Sequence, residues 1–250
     1  SILWRNRSDW ETWSQTDVNL SCSHHKSAAT RTRCQFGWNR TENIHQTIGN
    51  KIEYSFIICE DGSTDNSLET LIELKKKFSI KLISSDKKKG YSIAVLDGIK
   101  NATADYLLIM DSDGQSNPDE ILNFWTNRKK SNLINGNRAN RYDYMYRKLY
   151  SNIAFLIYKI LFKVPLKDPS YAFVLMERKV YQSLSSFKPE MPDGFFWEFN
   201  ARAFKKGFNF FNLDIVHKER LYGETRIYNW FNLPKISFNN FIGMIKVRFF

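Results

Sequence analysis

The chain has 250 residues, enough for one substantial domain with a full hydrophobic core. Its formal net charge is +11 and 16% of its residues are aromatic, which favours an anionic partner: nucleic acid, an acidic membrane surface or a phosphorylated substrate. No apolar run approaches the ~20 residues of a membrane-spanning helix, which excludes an integral membrane segment within this sequence. Cys22, Cys34 and Cys59 have neither disulfide nor metal-site spacing and indicate a reducing, cytoplasmic setting, although four Asn-x-Ser/Thr triplets weakly oppose this.

Residues 1–30 have neither helical nor strand periodicity, and we predict that they form a poorly ordered extension. Regular patterns begin near residue 52, within a main domain that we assign to residues 31–220. In chain order the predicted elements are strand 54–59, helix 65–78, strand 80–83, helix 91–102, strand 106–110, a helix from residue 118, strand 132–136, helix 143–162, strand 171–176, helix 198–206 and strand 210–216. Apolar strands that alternate with helices predict an α/β fold, with a mainly parallel central sheet and helices on both faces.

Two of the predicted strands end in acidic clusters. One strand runs into Glu60-Asp61 and another into Asp111-Ser112-Asp113-Gly114-Gln115. Ligands of parallel sheets bind at the carboxyl ends of the strands, so both clusters are expected to face one crevice. Two aspartates spaced i, i+2 at a strand end can hold a hard divalent cation and bridge it to a diphosphate, although aspartate at such a position is also a common turn cap.

The residues CEDGSTDNS and, further along, YLLIMDSDGQSNPDEI resemble the nucleotide-sugar half of inverting family-2 glycosyltransferases. Within that family they are most similar to the dolichol- and polyprenyl-phosphate mannosyl- or glucosyltransferases. The resemblance implies a GT-A (Rossmann-like) fold, a nucleotide-diphosphate sugar as donor, and Mg²⁺ or Mn²⁺ as cofactor. It implies that the metal is held by Asp111, Asp113 and Gln115, and that the nucleotide sugar is bound by Asn39, Glu60, Asp61, Asp111 and Ser112.

Three later segments resemble the acceptor half of the same enzymes: Gly136-Asn137-Arg138, Asp168 to Phe173, and His217 to Thr225. The resemblance implies acceptor contacts from Arg138, Arg141, Arg147, Ser151 and Arg220. A lipid phosphate is already anionic, so it needs no general base. A guanidinium group can bind two phosphate oxygens at once through two N–H groups. We therefore expect a polyprenyl phosphate as acceptor.

The start of the domain departs from the family pattern. Family members open with an apolar strand before an aromatic-Asn pair, here Trp38-Asn39, but residues 30–36 make a poor strand.

Residues 221–250 interleave aromatic side chains such as Phe238 and Phe249 with cations such as Lys246. This pattern predicts an amphipathic segment on an acidic membrane surface, with an ordinary packed helix as the alternative. We expect peripheral association with the cytoplasmic face of a membrane, where a membrane-protein partner is also conceivable.

Other functions fit parts of the sequence. A transferase that adds sugar to a glycan or lipopolysaccharide hydroxyl needs a carboxylate base, for which Glu198 is the candidate. The catalytic set under these hypotheses is Asp111, Asp113, Arg138 and Glu198. A basic, aromatic-rich chain is also typical of nucleic-acid-binding proteins, but here the aromatics lie in apolar runs and no nucleic acid is expected. An inactive relative is the third alternative.

Overall fold

The computed structural model describes residues 18–23, 41–49, 51–111, 116–138, 145–216 and 233–249, with only the backbone described at 18–23, 145–149 and 233. The strands are β1 (Val18–Ser23), β2 (Tyr54–Asp61), β3 (Ile80–Ser85), β4 (Tyr106–Asp111), β5 (Leu133–Arg138), β6 (Phe173–Glu177) and β7 (Phe210–Ile215). The helices are α1 (41–48), α2 (Ser67–Lys77), α3 (Tyr91–Lys100), α4 (Asp119–Asn127), α5 (Met145–Phe162), α6 (Arg178–Ser183), α7 (Phe195–Lys205) and α8 (Leu233–Phe249).

The described strands form one seven-stranded sheet in the order β3-β2-β1-β4-β6-β5-β7. β1 pairs in parallel with both β2 and β4, β2 with β3, and β5 with β7. Only β6, among the strands described, runs antiparallel to its neighbours β4 and β5. The predicted α/β class with a mainly parallel sheet is therefore confirmed.

Successive residues of the central strands face opposite cores. Phe56 of β2 and Leu108 of β4 pack with side chains of α1, α2 and α4 on one face. Ile57 and Leu107 pack with side chains of α3, α6 and α7 on the other face. Helices thus cover both faces, which explains why these strands are continuously apolar in sequence rather than alternating.

The structure corrects the prediction for residues 1–30. Val18–Ser23 forms β1, in register with Tyr54 of β2 and with Tyr106 of β4, so these six residues belong to the centre of the sheet. The sequence VNLSCS alternates apolar with small polar residues over a single short stretch, a weak signal that pairing with two apolar strands overrides. The rest of 1–30, and residues 30–36, which make a poor strand by sequence, lie outside the described residues.

Smaller differences have local causes. The sequence predicts no helix at α6, whose six residues are too few to show a helical period. β6 begins at Phe173 rather than at Tyr171, because Tyr171 precedes the first residue that pairs with β4. α7 begins at Phe195, directly after Gly194, three residues earlier than predicted.

α8 packs against α5 and α7. Tyr158 and Phe162 of α5 form a third apolar cluster with Met244 and Val247 of α8. The Lys205 ammonium of α7 donates to the carbonyl of Val247 at 2.9 Å, near the end of α8. Among the residues described, no helix is both long enough and apolar enough to cross a membrane.

Phe124 of α4 provides a test of the core. Its side chain is 0% exposed and its ring meets Phe173 of β6 edge-on, with centroids 4.6 Å apart. We expect Phe124→Ala to lower the free energy of unfolding by about 3–5 kcal/mol, because it removes buried apolar area and leaves a cavity. Chemical denaturation of the full chain measures this loss.

The matched control is Phe238→Ala on α8, where the ring is 64% exposed. Its effect should stay within about 0.5 kcal/mol, as for most surface substitutions. Equal losses for the two variants would contradict the assignment of Phe124 to the core.

Candidate active site

The two acidic strand ends lie at one edge of the sheet. Ser23 of β1 is in register with Cys59 of β2 on one side and with Asp111 of β4 on the other. The carboxyl ends of β2 and β4 are therefore separated by one strand, about 10 Å at the usual strand spacing. This arrangement brings Glu60-Asp61 and Asp111 to a common edge, as parallel pairing requires.

Asp61 anchors the loop that leads into α3. Its side chain is buried and accepts hydrogen bonds from the backbone N–H of Lys89 at 2.6 Å and of Gly90 at 2.9 Å. The loop also crosses Gly62 closely, since a Cβ on Gly62 would lie 2.7 Å from the backbone nitrogen of Lys88. A glycine is required there for a second reason, its positive φ of 62°.

Glu60 is buried beside Asp61, and its carboxylate accepts a hydrogen bond from the backbone N–H of Ser63. The carboxylates predicted to contact the nucleoside thus shape the turn and loop at the end of β2. Asn39, the other predicted contact on this side, lies outside the described residues.

Asp111 ends β4 with a half-buried side chain, and its Oδ1 accepts a hydrogen bond from the Tyr91 hydroxyl at 2.9 Å. Ser112, Asp113 and Gln115 lie outside the described residues. Within the described ranges, no group of three or more His, Cys, Asp or Glu side chains could hold a metal ion. Asp111 supplies one oxygen ligand of the kind that Mg²⁺ and Mn²⁺ prefer, so the part of the predicted site that is described fits a divalent cation.

Ser116 is the first described residue after Asp111. Its hydroxyl lies 2.6 Å from the hydroxyl of Tyr171, and both residues are buried. Tyr171 in turn lies under Arg138, whose guanidinium carbon is 4.7 Å from the ring centroid. Ser116 is thereby joined to the predicted acceptor residue Arg138 through one tyrosine.

Arg138, at the end of β5, makes a two-pronged ion pair with Asp168. Nε donates to Oδ2 at 2.7 Å and Nη2 to Oδ1 at 3.1 Å, and Nη2 also donates to the Ser170 hydroxyl at 3.0 Å. The Arg138 side chain is only 15% exposed. A guanidinium held in this way is oriented before any anion arrives.

The structure describes two of the other predicted acceptor residues, both in α5. Ser151 lies in the first half of α5 and is half-buried. Arg147 belongs to the same helix, with only its backbone described. Arg141 and Arg220 lie outside the described residues.

The structure contradicts the prediction that Glu198 is an accessible base. The side chain is 0% exposed and both carboxylate oxygens are occupied. Oε2 accepts from the backbone N–H groups of Glu190 and Met191, each at 2.8 Å, and Oε1 accepts from Arg202 Nε at 2.8 Å. Burial raises the pKa of Glu198, and the hydrogen bond from Arg202 opposes that rise. Glu198 therefore holds α7 to the loop before it and is closed to solvent.

Sequence reasoning missed the roles of Tyr91 and Asp168 in this arrangement. Tyr91 lies beyond a lysine-rich loop, and only its place at the start of the helix after β3 hints that it could reach a neighbouring strand end. Asp168 belongs to a recognised segment, but its pairing with Arg138 joins residues 30 positions apart. No local pattern predicts such a contact.

A family model described as Glycosyl transferase family 2 matches residues 38–185, more than half of the chain. The chain is 30% identical over 162 residues to a dolichol-phosphate mannosyltransferase of Pyrococcus furiosus, covering 59% of this chain and 46% of that protein. It is 32% identical over 81 residues to a poly-β-1,6-N-acetyl-D-glucosamine synthase of Staphylococcus epidermidis, covering 30% of this chain and 20% of that protein. The chain thus spans less than half the length of these curated relatives.

Two solved structures of the Mycobacterium tuberculosis glucosyl-3-phosphoglycerate synthase are similar at 13% identity. The complex with Mn²⁺, uridine-diphosphate-glucose and glycerol 3-phosphate gives a TM-score of 0.64 and covers 96% of this chain and 87% of that one. The complex with Mn²⁺, uridine-diphosphate and phosphoglyceric acid gives 0.67, covering 94% and 79%. This likeness confirms the GT-A fold. The family match over residues 38–185 shows that the chain belongs to glycosyl transferase family 2.

Proposed function

We propose that the chain is an inverting glycosyltransferase that moves a sugar from a nucleotide-diphosphate sugar to a polyprenyl phosphate. The observation that carries the proposal is the placement of Glu60-Asp61 and Asp111 at one edge of the sheet in a family-2 chain. Support for the donor comes from the similar fold of a synthase solved with Mn²⁺ and uridine-diphosphate-glucose. Support for the acceptor comes from the dolichol-phosphate mannosyltransferase relative.

The proposed metal ligands are Asp111, Asp113 and Gln115, for Mg²⁺ or Mn²⁺. When bound, the ion would offset the charge that develops on the departing diphosphate. Asp61 contributes by fixing the loop of Lys89 and Gly90, which forms the wall beside the donor. An acceptor oxygen then displaces the nucleoside diphosphate from the anomeric carbon in line, with inversion.

An acceptor that is already an anion needs positive charge to dock it rather than a base. Arg138 is the described residue best suited to this role, because Asp168 and Ser170 hold its guanidinium through Nε and Nη2. The guanidinium carries five N–H donors in a planar fork, so one group can serve both a carboxylate and a phosphate. We propose Arg141, Arg147, Ser151 and Arg220 as further contacts.

The proposal predicts metal-dependent transfer that requires Asp111. In a screen of nucleotide sugars with Mn²⁺ or Mg²⁺ and a short polyprenyl phosphate, we expect turnover with at least one donor and none after chelation. Asp111→Asn should lower kcat/KM on the order of 10²-fold or more, because it removes charge that holds the ion against the diphosphate. Radiolabelled sugar recovered in the lipid fraction measures transfer.

Asp105→Asn is the matched control, since Asp105 precedes the other end of β4 and forms a half-exposed ion pair with Arg178. Its kcat/KM should match that of the unmodified chain. Absence of both turnover and metal-dependent nucleotide binding would favour an inactive relative. If RNA or DNA bound instead, with a steep salt dependence, the nucleic-acid hypothesis would replace this one.

A variant of the buried Glu198 tests whether the acceptor is a lipid phosphate or a hydroxyl. We expect Glu198→Gln to lower the free energy of unfolding by about 2 kcal/mol, because it weakens charge-assisted hydrogen bonds to Arg202 and to two backbone N–H groups. The kcat/KM of the folded variant should remain within a few-fold of the original value. Thermal melting and transfer assays below the melting temperature measure the two effects.

Glu190→Gln provides the comparison, because Glu190 pairs with Lys246 near the surface. It should change neither stability nor rate appreciably. A folded Glu198→Gln protein that loses transfer by orders of magnitude would identify Glu198 as a base and favour a hydroxyl acceptor.

We further propose that the protein lies on the cytoplasmic face of a membrane through α8 and α5. α8 is apolar on two sides: Gly243, Met244 and Val247 are buried, while Phe238 and Phe249 on the opposite side are 64% and 66% exposed. α5 likewise exposes Ile153, Leu156 and Ile160. The neighbouring exposed cations of α8 are Lys235, Lys246 and Arg248. Exposed aromatics beside cations suit the interface of an anionic bilayer.

Vesicle sedimentation tests this contact. We expect the chain to bind vesicles that contain anionic lipid, and the double variant Phe238→Ser/Phe249→Ser to bind them about tenfold more weakly, since it removes two exposed rings. Ile72→Ser is the control, because Ile72 is an exposed apolar residue of α2. Equal binding by both variants would place the membrane contact elsewhere.

A further inference from the structure

One short segment binds both acidic strand ends. The backbone N–H groups of Lys89 and Gly90 donate to Asp61 of β2, and the hydroxyl of the next residue, Tyr91, donates to Asp111 of β4. Because β1 lies between β2 and β4, residues 89–91 reach across one strand at the carboxyl edge. The conformation depends on Gly90, whose φ of 99° turns the chain into α3.

Contacts of Tyr91 and its two neighbours fix the position of the Tyr91 hydroxyl. The ring is partly buried against the core cluster that includes Ile57 and Ala94. The next residue, Ser92, donates from its hydroxyl to the carbonyl of Pro192 at 2.7 Å, which ties the start of α3 to the loop before α7. Lys89 is fixed as well, through an ion pair with Asp97 at 2.5 Å.

We propose that Tyr91 is a positioning residue for the metal ligand Asp111, an inference that rests on the proposed function. A carboxylate at a strand end can rotate about its terminal torsion, which is broad and poorly restrained on its own. The phenol O–H holds Oδ1 at 2.9 Å and so selects one orientation before the ion binds. Hydrogen bonds of this kind to ligating carboxylates raise metal affinity, and their loss typically costs about 10–100-fold.

The absence of charge on the Tyr91 hydroxyl supports the same role. Asp61 has two backbone donors on its carboxylate, whereas Tyr91 donates to Asp111 from a neutral hydroxyl. A neutral donor orients the carboxylate without supplying a positive charge that would compete with a divalent ion. A lysine at position 91 would instead form an ion pair with Asp111 and compete with the metal.

The test compares Tyr91→Phe with two reference variants of the full chain. Tyr91→Phe keeps the buried ring and removes only the hydroxyl. Tyr106→Phe makes the same change at the other end of β4, and Asp111→Asn replaces the charged ligand with a neutral amide. Binding of Mn²⁺ alone is followed by the loss of the free-ion electron paramagnetic resonance signal, and the Mn²⁺ concentration for half-maximal transfer provides a second readout.

We expect Tyr91→Phe to weaken Mn²⁺ binding about 10–100-fold and to raise the half-maximal Mn²⁺ concentration in proportion, with a melting temperature equal to that of Tyr106→Phe. Mn²⁺ binding unchanged in Tyr91→Phe but lost in Asp111→Asn would overturn the role of Tyr91 and leave the proposed function standing. Mn²⁺ binding unchanged in Asp111→Asn would overturn the metal assignment and this inference together. A lower melting temperature with unaltered Mn²⁺ affinity would show that the hydroxyl only stabilises the fold.

Discussion

The pairing of β1 on both sides determines where the acidic groups of the site lie. β1 joins β2 and β4 in parallel and in matching register, so the carboxyl ends of those strands are held one strand apart. Carboxylates placed this close repel one another unless each has a donor or a cation. Residues 89–91 supply such donors to Asp61 and Asp111 from the start of one helix. The sheet therefore creates the acidic edge, and α3 stabilises it.

A feature of this structure can be predicted from the sequence where neighbouring residues determine it, and cannot where contacts between distant residues determine it. The strands ending at Asp61 and Asp111 are predictable because burial on both faces makes them apolar throughout. β1 cannot be predicted in this way, because VNLSCS forms a strand by pairing with two strands that are distant in sequence. The same limit explains Glu198, whose acidic side chain near aromatics predicts a catalytic base. Its burial and its contacts to residues 190–191 follow from packing that no short pattern encodes.

Buried polar residues of α7 fix the loop on the predicted acceptor side in a related way. Glu198 holds the backbone at Glu190 and Met191, and Asn200 donates to the carbonyl of Pro169 at 3.0 Å. Asn200 also accepts a hydrogen bond from Asn135 of β5 at 3.1 Å. The loop that carries Asp168 and Ser170 is thereby fixed to the sheet and to α7. An unpaired polar group in such a core is costly, so these contacts restrict the loop to one arrangement.

The reversed direction of β6 has a consequence for how the two halves of the site can diverge. Since β6 runs against β4 and β5, its beginning rather than its end lies beside Asp111 and Arg138. The predicted donor half thus consists of residues that follow strands, while Asp168 and Tyr171 of the predicted acceptor half precede one. Changes of length between α5 and β6 would reshape the predicted acceptor half while the strands that carry Asp61 and Asp111 stay in register. One sheet can in this way keep its acidic edge constant while the surface beside Arg138 varies.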